Sequence, residues 1–211
     1  KLTVFPNPNA PTGIALPLDQ VEAIVASNPD HVVVVDEAYV DFGADSAVPL
    51  LQKYENLLVV MTYSKSRSMA GARLGFALGS RALIQDLEKL KYSTNPYNVN
   101  RLTLKLGQAA VDSDGYFREK AREIMATREK TAQALRALGF TLPDSQANFL
   151  FVAHPKVAGE TLYRKCKEKG VLIRHFSDPA IAAYNRVTIG TPAEMEAFLA
   201  VVQTILKEEG A

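Results

Sequence analysis

The run His31–Asp36, HVVVVD, constrains the fold more than any other stretch. Four consecutive valines are stiff at χ1 and favour an extended backbone. With no polar residue among them, both faces of the strand need cover, as in a parallel sheet flanked by helices. Leu57–Thr62 (LLVVMT) repeats the pattern, and Leu74–Leu78 reads as a third strand. Leu18–Ser27 carries apolar residues at 18, 21, 24 and 25, a helical stripe that Asn28–Pro29 ends. Strand, helix, strand in this order predicts an α/β protein with a mostly parallel sheet. Arg81–Lys91 follows as another amphipathic helix.

The remaining sequence changes character. Tyr116–Leu138 is one long charged helical pattern with Ile124, Thr131, Leu135 and Leu138 on one face, and Gly139 is a natural stop. Strands are expected at Asn148–Val152, Val171–Arg174 and Arg186–Ile189, with helices near Gly159–Lys169 and from Pro192 to about Lys207. These elements make a small α+β domain. The expected division is residues 1–110 in the α/β part, 111–138 in a connecting helix and 139–211 in the small domain.

Composition narrows the function classes. The 211 residues carry a net charge of +1, with 47% hydrophobic and 22% charged residues, as in ordinary globular proteins. One cysteine, Cys166, excludes an intrachain disulfide framework and a cysteine-based zinc site, and the histidines (His31, His154, His175) are too scattered to suggest a metal. No apolar run reaches the roughly 18 residues of a membrane span, and prolines 6, 8 and 11 interrupt the N-terminal apolar stretch, so no signal peptide and a cytoplasmic location are expected. The charge is unevenly spread: residues 1–52 are net −6 and residues 53–105 net +6. Aromatic residues do not interleave with the basic ones, which argues against nucleic acid and leaves a phosphate-bearing ligand or a solvated face.

Ligands of open α/β sheets bind beyond the carboxyl ends of the strands. There the sequence places Asp36-Glu37-Ala38-Tyr39, then Thr62-Tyr63-Ser64-Lys65-Ser66, then Arg73 ahead of the third strand. The opening segment ends in Asn7-Pro8-Asn9-Ala10-Pro11-Thr12-Gly13. Each alone has an ordinary reading as a turn, a cap or a solvated cation. Together they match the needs of pyridoxal 5′-phosphate. Lys65 is an amine for its aldehyde, Ser64 and Arg73 suit its phosphate, Asp36 its pyridine nitrogen and Tyr39 its phenolate oxygen.

NPNAPTG, DEAYVDF and TYSKSRSMAGARLGF together resemble the fold-type I pyridoxal-phosphate enzymes of the aspartate aminotransferase superfamily. TYSKSRSMAG, NPYNVNRLT and NRVTIGTPAEMEAF are similar to its histidinol-phosphate aminotransferase branch. The resemblance implies the C-terminal part of a pyridoxal-phosphate-binding large domain followed by the small domain. It implies that Lys65 is the cofactor-anchoring lysine and proton-transfer base, that Asp36, Tyr39, Ser64 and Arg73 bind the cofactor, that Arg186 binds the substrate carboxylate, and that Arg174 helps hold a substrate phosphate. The family asparagine before Pro-Thr-Gly is replaced by Ala10, and Asn9 is expected to take its role through a one-residue shift.

The implied reaction exchanges an amino group between glutamate and imidazole-acetol phosphate, giving histidinol phosphate in histidine biosynthesis. The implied partners are small amino and keto acids and a second subunit in a homodimer. Family members run to about 350 residues, two domains' worth, and this sequence starts without Met where their second half begins. Two alternatives stay open: a decarboxylase of a phosphorylated amino acid such as threonine phosphate, and an inert piece that needs its N-terminal half.

Overall fold

A computed structural model describes residues 1–211. They form two compact units, residues 1–9 with 15–121, and residues 10–14 with 122–211.

The first unit is built on a four-stranded sheet in the order β1 (Leu2–Pro6), β2 (Val32–Asp36), β3 (Leu57–Thr62) and β4 (Gly75–Gly79). β1, β2 and β3 are parallel, whereas β4 runs antiparallel to β3. The four-valine strand is an inner strand, and Val33 and Val35 are fully buried with Leu57 and Val59 of β3 and Val21 and Val25 of α1 (Leu18–Ala26). Val32 and Val34 are half-buried, so the second face of β2 is covered less completely than a run of four valines suggests.

α2 spans Arg81–Thr94, capped by the Ser80 hydroxyl, which accepts from the Leu83 amide. α3 (Arg101–Asp112) is a helix that apolar periodicity does not predict. Leu102, Leu104 and Leu106 are exposed, and the buried positions are the small residues Thr103, Gly107 and Ala110. Gly107 lies so close to Leu74 that a Cβ there would fall 2.5 Å from Leu74 Cδ2. The local signal for this helix is its cap: Asn100 Oδ1 accepts from the Thr103 amide at 2.9 Å.

α4 (Asp114–Ala137) runs from the first unit into the second, with the division between residues 121 and 122. The second unit contains a three-stranded antiparallel sheet ordered β5 (Phe149–Val152), β7 (Asn185–Thr188) and β6 (Arg174–His175). The strand expected at Val171–Arg174 is thus reduced to two residues shifted toward the C-terminus. α5 (Gly159–Glu168) and α6 (Pro192–Glu209) join Ala132 and Leu135 of α4 around one core, where Leu162, Cys166, Phe198, Val202 and Ile205 are buried. Thr191 and Glu194 form a reciprocal capping box at the start of α6. Burial pushes the Cys166 thiol up to about 11, which makes it an inert packing group. Gly13 belongs to this unit; its φ is 78°, and a Cβ there would fall 2.2 Å from Ser145 Oγ. Only glycine fits both demands.

Truncating Leu57 to Ala in the first core is expected to cost about 3 kcal/mol, because the surrounding strands cannot close the cavity. The same change at exposed Leu90 is expected to cost under about 0.5 kcal/mol. Urea unfolding monitored by circular dichroism compares the two.

Candidate active site

Register fixes what emerges at the carboxyl edge of the first sheet. Pro6 pairs with Asp36, Asp36 with Val60, and Thr62 with Gly75. The residues after β1, β2 and β3 and before β4 therefore leave the sheet on one edge. Asn7, Asp36, Tyr39, Ser64, Lys65 and Arg73 all come from these segments.

Asp36 is the last residue of β2 and is half-buried. Its Oδ1 accepts from the Ala38 amide at 3.0 Å, and its carbonyl accepts from the Asn7 amide at 2.9 Å. One carboxylate oxygen thus holds the turn. Tyr39 precedes a short 3₁₀ turn at Val40–Phe42, and the Lys65 ammonium lies 5.2 Å from the centroid of its ring. The lysine and the phenol predicted to share a ligand are therefore neighbours. Ser64 is held by Thr62, whose Oγ1 accepts from the Ser64 amide at 3.1 Å and donates to Ser64 Oγ at 2.9 Å. Arg73 is exposed, has a φ of 54° and donates to the Ala70 carbonyl at 3.2 Å.

The two early asparagines differ. Asn7 is buried; its Oδ1 accepts from the Leu16 amide at 2.7 Å and its Nδ2 donates to the Leu16 carbonyl at 3.2 Å. Its amide group is consumed in closing the loop from 7 to 16. Asn9 is half-buried.

Two residues stand out that motif reasoning passes over. Glu37 is buried; it accepts from Ser46 Oγ at 2.6 Å and from the Ala47 amide at 2.5 Å, pinning the loop after Tyr39. Burial pushes its carboxyl above the ordinary glutamate range despite these two bonds. Arg67 pairs with Asp114 at 2.6 Å. Its sequence signal is a second cation two residues beyond Lys65.

The predicted substrate arginines lie in the second unit. Arg174 of β6 and Arg186 of β7 are direct register partners, and each guanidinium lies over an aromatic ring, Phe176 at 5.6 Å and Phe149 at 5.1 Å. Like charges directly opposite on neighbouring strands repel, and an anion between them relieves that cost. Beside Arg174 is a cavity of about 470 Å³ lined by Tyr163, His175 and Phe176. His175 stacks on Tyr163 at 5.9 Å and lies 3.2 Å from Asn185 Oδ1.

The aminotransferase class I and II family model matches residues 1–202. The sequence is 52% identical over 202 residues to histidinol-phosphate aminotransferase 1 of Bordetella parapertussis, covering 96% of this chain and 57% of that protein. It is 50% identical over 202 residues to the histidinol-phosphate aminotransferase of Brachyspira hyodysenteriae, covering 95% and 57%. Among solved structures, histidinol-phosphate aminotransferase from Sinorhizobium meliloti in complex with pyridoxal-5′-phosphate matches with a TM-score of 0.85 at 24% identity, over 98% of this chain and 57% of that one. At that identity the likeness shows the fold. The chain spans somewhat more than half the length of the curated relatives it matches.

Glu37 gives a pH-dependent stability of known sign. Its raised folded-state pKa means that the folded state binds the proton more tightly, so this contribution is full at low pH and fades as pH rises through the folded pKa. Replacing Glu37 with Gln is expected to make the protein gain stability relative to wild type between about pH 4 and pH 7. Urea midpoints at the two pH values measure the difference.

Proposed function

This chain belongs to the class I and II aminotransferases, and on that premise we propose that it carries the lysine-bearing part of a pyridoxal-phosphate site that exchanges amino groups between glutamate and imidazole-acetol phosphate. The observation that carries this reading is the Lys65 ammonium 5.2 Å from the Tyr39 ring, at the sheet edge that also bears Asp36, Ser64 and Arg73. An amine, a carboxylate and a phenol fit the aldehyde, pyridine nitrogen and phenolate oxygen of pyridoxal 5′-phosphate, and a hydroxyl and a guanidinium fit its phosphate. The substrate assignment is supported by half-identical relatives that bear the histidinol-phosphate aminotransferase name.

When bound, the cofactor supplies an aldehyde that captures amines and a ring that accepts an electron pair. Lys65 Nζ would anchor it, and as a free amine Lys65 Nζ would take the proton from the substrate Cα. The Asp36 carboxylate would hold a proton on the pyridine nitrogen. The Tyr39 hydroxyl donates to the ring oxygen. Ser64 Oγ and the Arg73 guanidinium hold the phosphate. Asn9 takes the remaining bond to the ring oxygen, since Asn7 is committed to Leu16. Arg186 binds the substrate carboxylate and Arg174 the substrate phosphate, so that two anionic groups offset the cross-strand repulsion.

The working protein is a homodimer in the cytoplasm. Exposed Tyr97, Leu102, Leu104 and Leu106 supply apolar surface for association. No helix is long and apolar enough to cross a membrane.

Borohydride reduction in the presence of pyridoxal 5′-phosphate is expected to fix the cofactor on Lys65. Lys65→Ala is expected to lower kcat/KM for glutamate with imidazole-acetol phosphate by at least about a thousandfold. Wild-type-like turnover by that variant overturns the reading, and release of carbon dioxide from threonine phosphate instead marks the decarboxylase. A separate expectation concerns the arginine pair. Arg174→Met removes a like-charge neighbour, so Tm rises by about 1–3 °C while KM for the phosphorylated substrate rises about tenfold or more. Thermal melts and initial rates report the two effects independently.

A further inference from the structure

The segment that carries Lys65 is a tight turn under strain. The Ser68 amide donates to the Lys65 carbonyl at 3.1 Å, and the Met69 amide donates to the Tyr63 carbonyl at 3.0 Å. Ser68 has a φ of 54°, in the left-handed region that a residue with a Cβ enters at a cost. Such a conformation persists only where its surroundings over-determine it.

Two side chains within the turn reach outward. Ser66 Oγ donates to Asp41 Oδ2. Arg67 pairs with Asp114 through Nη2 and Oδ1 at 2.6 Å, and its guanidinium lies 5.3 Å from the centroid of the Phe117 ring. The side chains of this pair are 22% and 35% exposed, against 76% and 70% for the open pair Lys89–Asp86. Solvent therefore screens it less. Asp114 opens α4, where the helix N-terminus favours an anion. Arg67 and Arg118 hold its carboxyl below the ordinary aspartate range. The turn is thus moored to a fixed anion at the head of a 24-residue helix.

We propose that the Arg67–Asp114 pair is a positioning device for Lys65, holding the Lys65–Ser68 turn so that the amine stays over the Tyr39 ring and meets the cofactor in one orientation. This rests on the pyridoxal-phosphate reading of the site. Arg67 is a positioning residue that acts through the backbone of the turn. Arg118 supplies an internal control: it also contacts Asp114, but it lies on α4 outside the turn.

The experiment uses the full chain loaded with pyridoxal 5′-phosphate. Free cofactor is achiral, so visible circular dichroism of its absorption band reports the fixed asymmetry of its setting. That signal is measured per bound cofactor, beside the cofactor Kd and the Tm of the cofactor-free protein. R67Q and D114N are each expected to lower it by about half or more, and the double variant to fall no further than either single one, because both remove the same contact. R67K keeps the charge and is expected to recover most of the signal; R118Q matches wild type. A wild-type signal in R67Q overturns the proposal, as does an equal loss in R118Q. Should R67Q fail to fold, D114N decides, and a wild-type signal there overturns the proposal. Failure of borohydride to fix the cofactor on Lys65 in the wild-type chain overturns the functional reading, and the proposal with it; fixation with unchanged dichroism in the variants overturns the proposal alone.

Discussion

The parallel register of β2 with its two neighbours governs this molecule. A buried strand has no freedom to slip, because a one-residue shift would turn Val33 and Val35 out of the core. Fixing that register also fixes where each chain segment leaves the sheet. Asp36 is paired on both sides at the last position of the strand, with Pro6 and with Val60. The residues beyond it emerge together because the strands end together. The chemistry of the edge is thus a consequence of packing the buried face of a valine strand.

What happens after the strands end depends on polar groups that take over where the ladder stops. Asn7 bonds both polar atoms of Leu16's backbone, so one side chain closes the loop from 7 to 16 in the manner of a ladder pair. Glu37 does the same for the segment after Tyr39 by accepting from Ser46 and Ala47. The Thr62 hydroxyl fixes Ser64. A buried polar group such as Asn7 or Glu37 is costly alone and is offset by partners in the loop that it holds. The loops at this edge are therefore ordered from within by side chains that no cofactor or substrate needs to touch.

The elements read best from sequence were those whose burial follows a single period. β2, α1 and α6 bury large apolar side chains at strand or helix spacing, and the helices end at ordinary stop signals. α3 was illegible for the opposite reason: it buries Thr103, Gly107 and Ala110 and exposes its leucines, so hydrophobicity points away from the buried face. The antiparallel direction of β4 leaves no mark in its own residues. At the sheet edge, motif spacing indicated the neighbourhood of Lys65 and Tyr39, but not the roles of Glu37 and Arg67. Those depend on partners 9 to 47 positions away, Ser46 for the first and Asp114 for the second.

Gly13 has a further consequence. It sits among residues 10–14, which pack with the second unit although the rest of the chain's beginning packs with the first. The Gln146 amide donates to the Gly13 carbonyl at 2.8 Å, and the glycine's missing side chain is what lets Ser145 approach. A protease that cuts α4 between residues 121 and 122 would leave these five residues on the other piece. The second unit is discontinuous in sequence, so neither limited proteolysis nor expression from residue 122 onward would yield it whole.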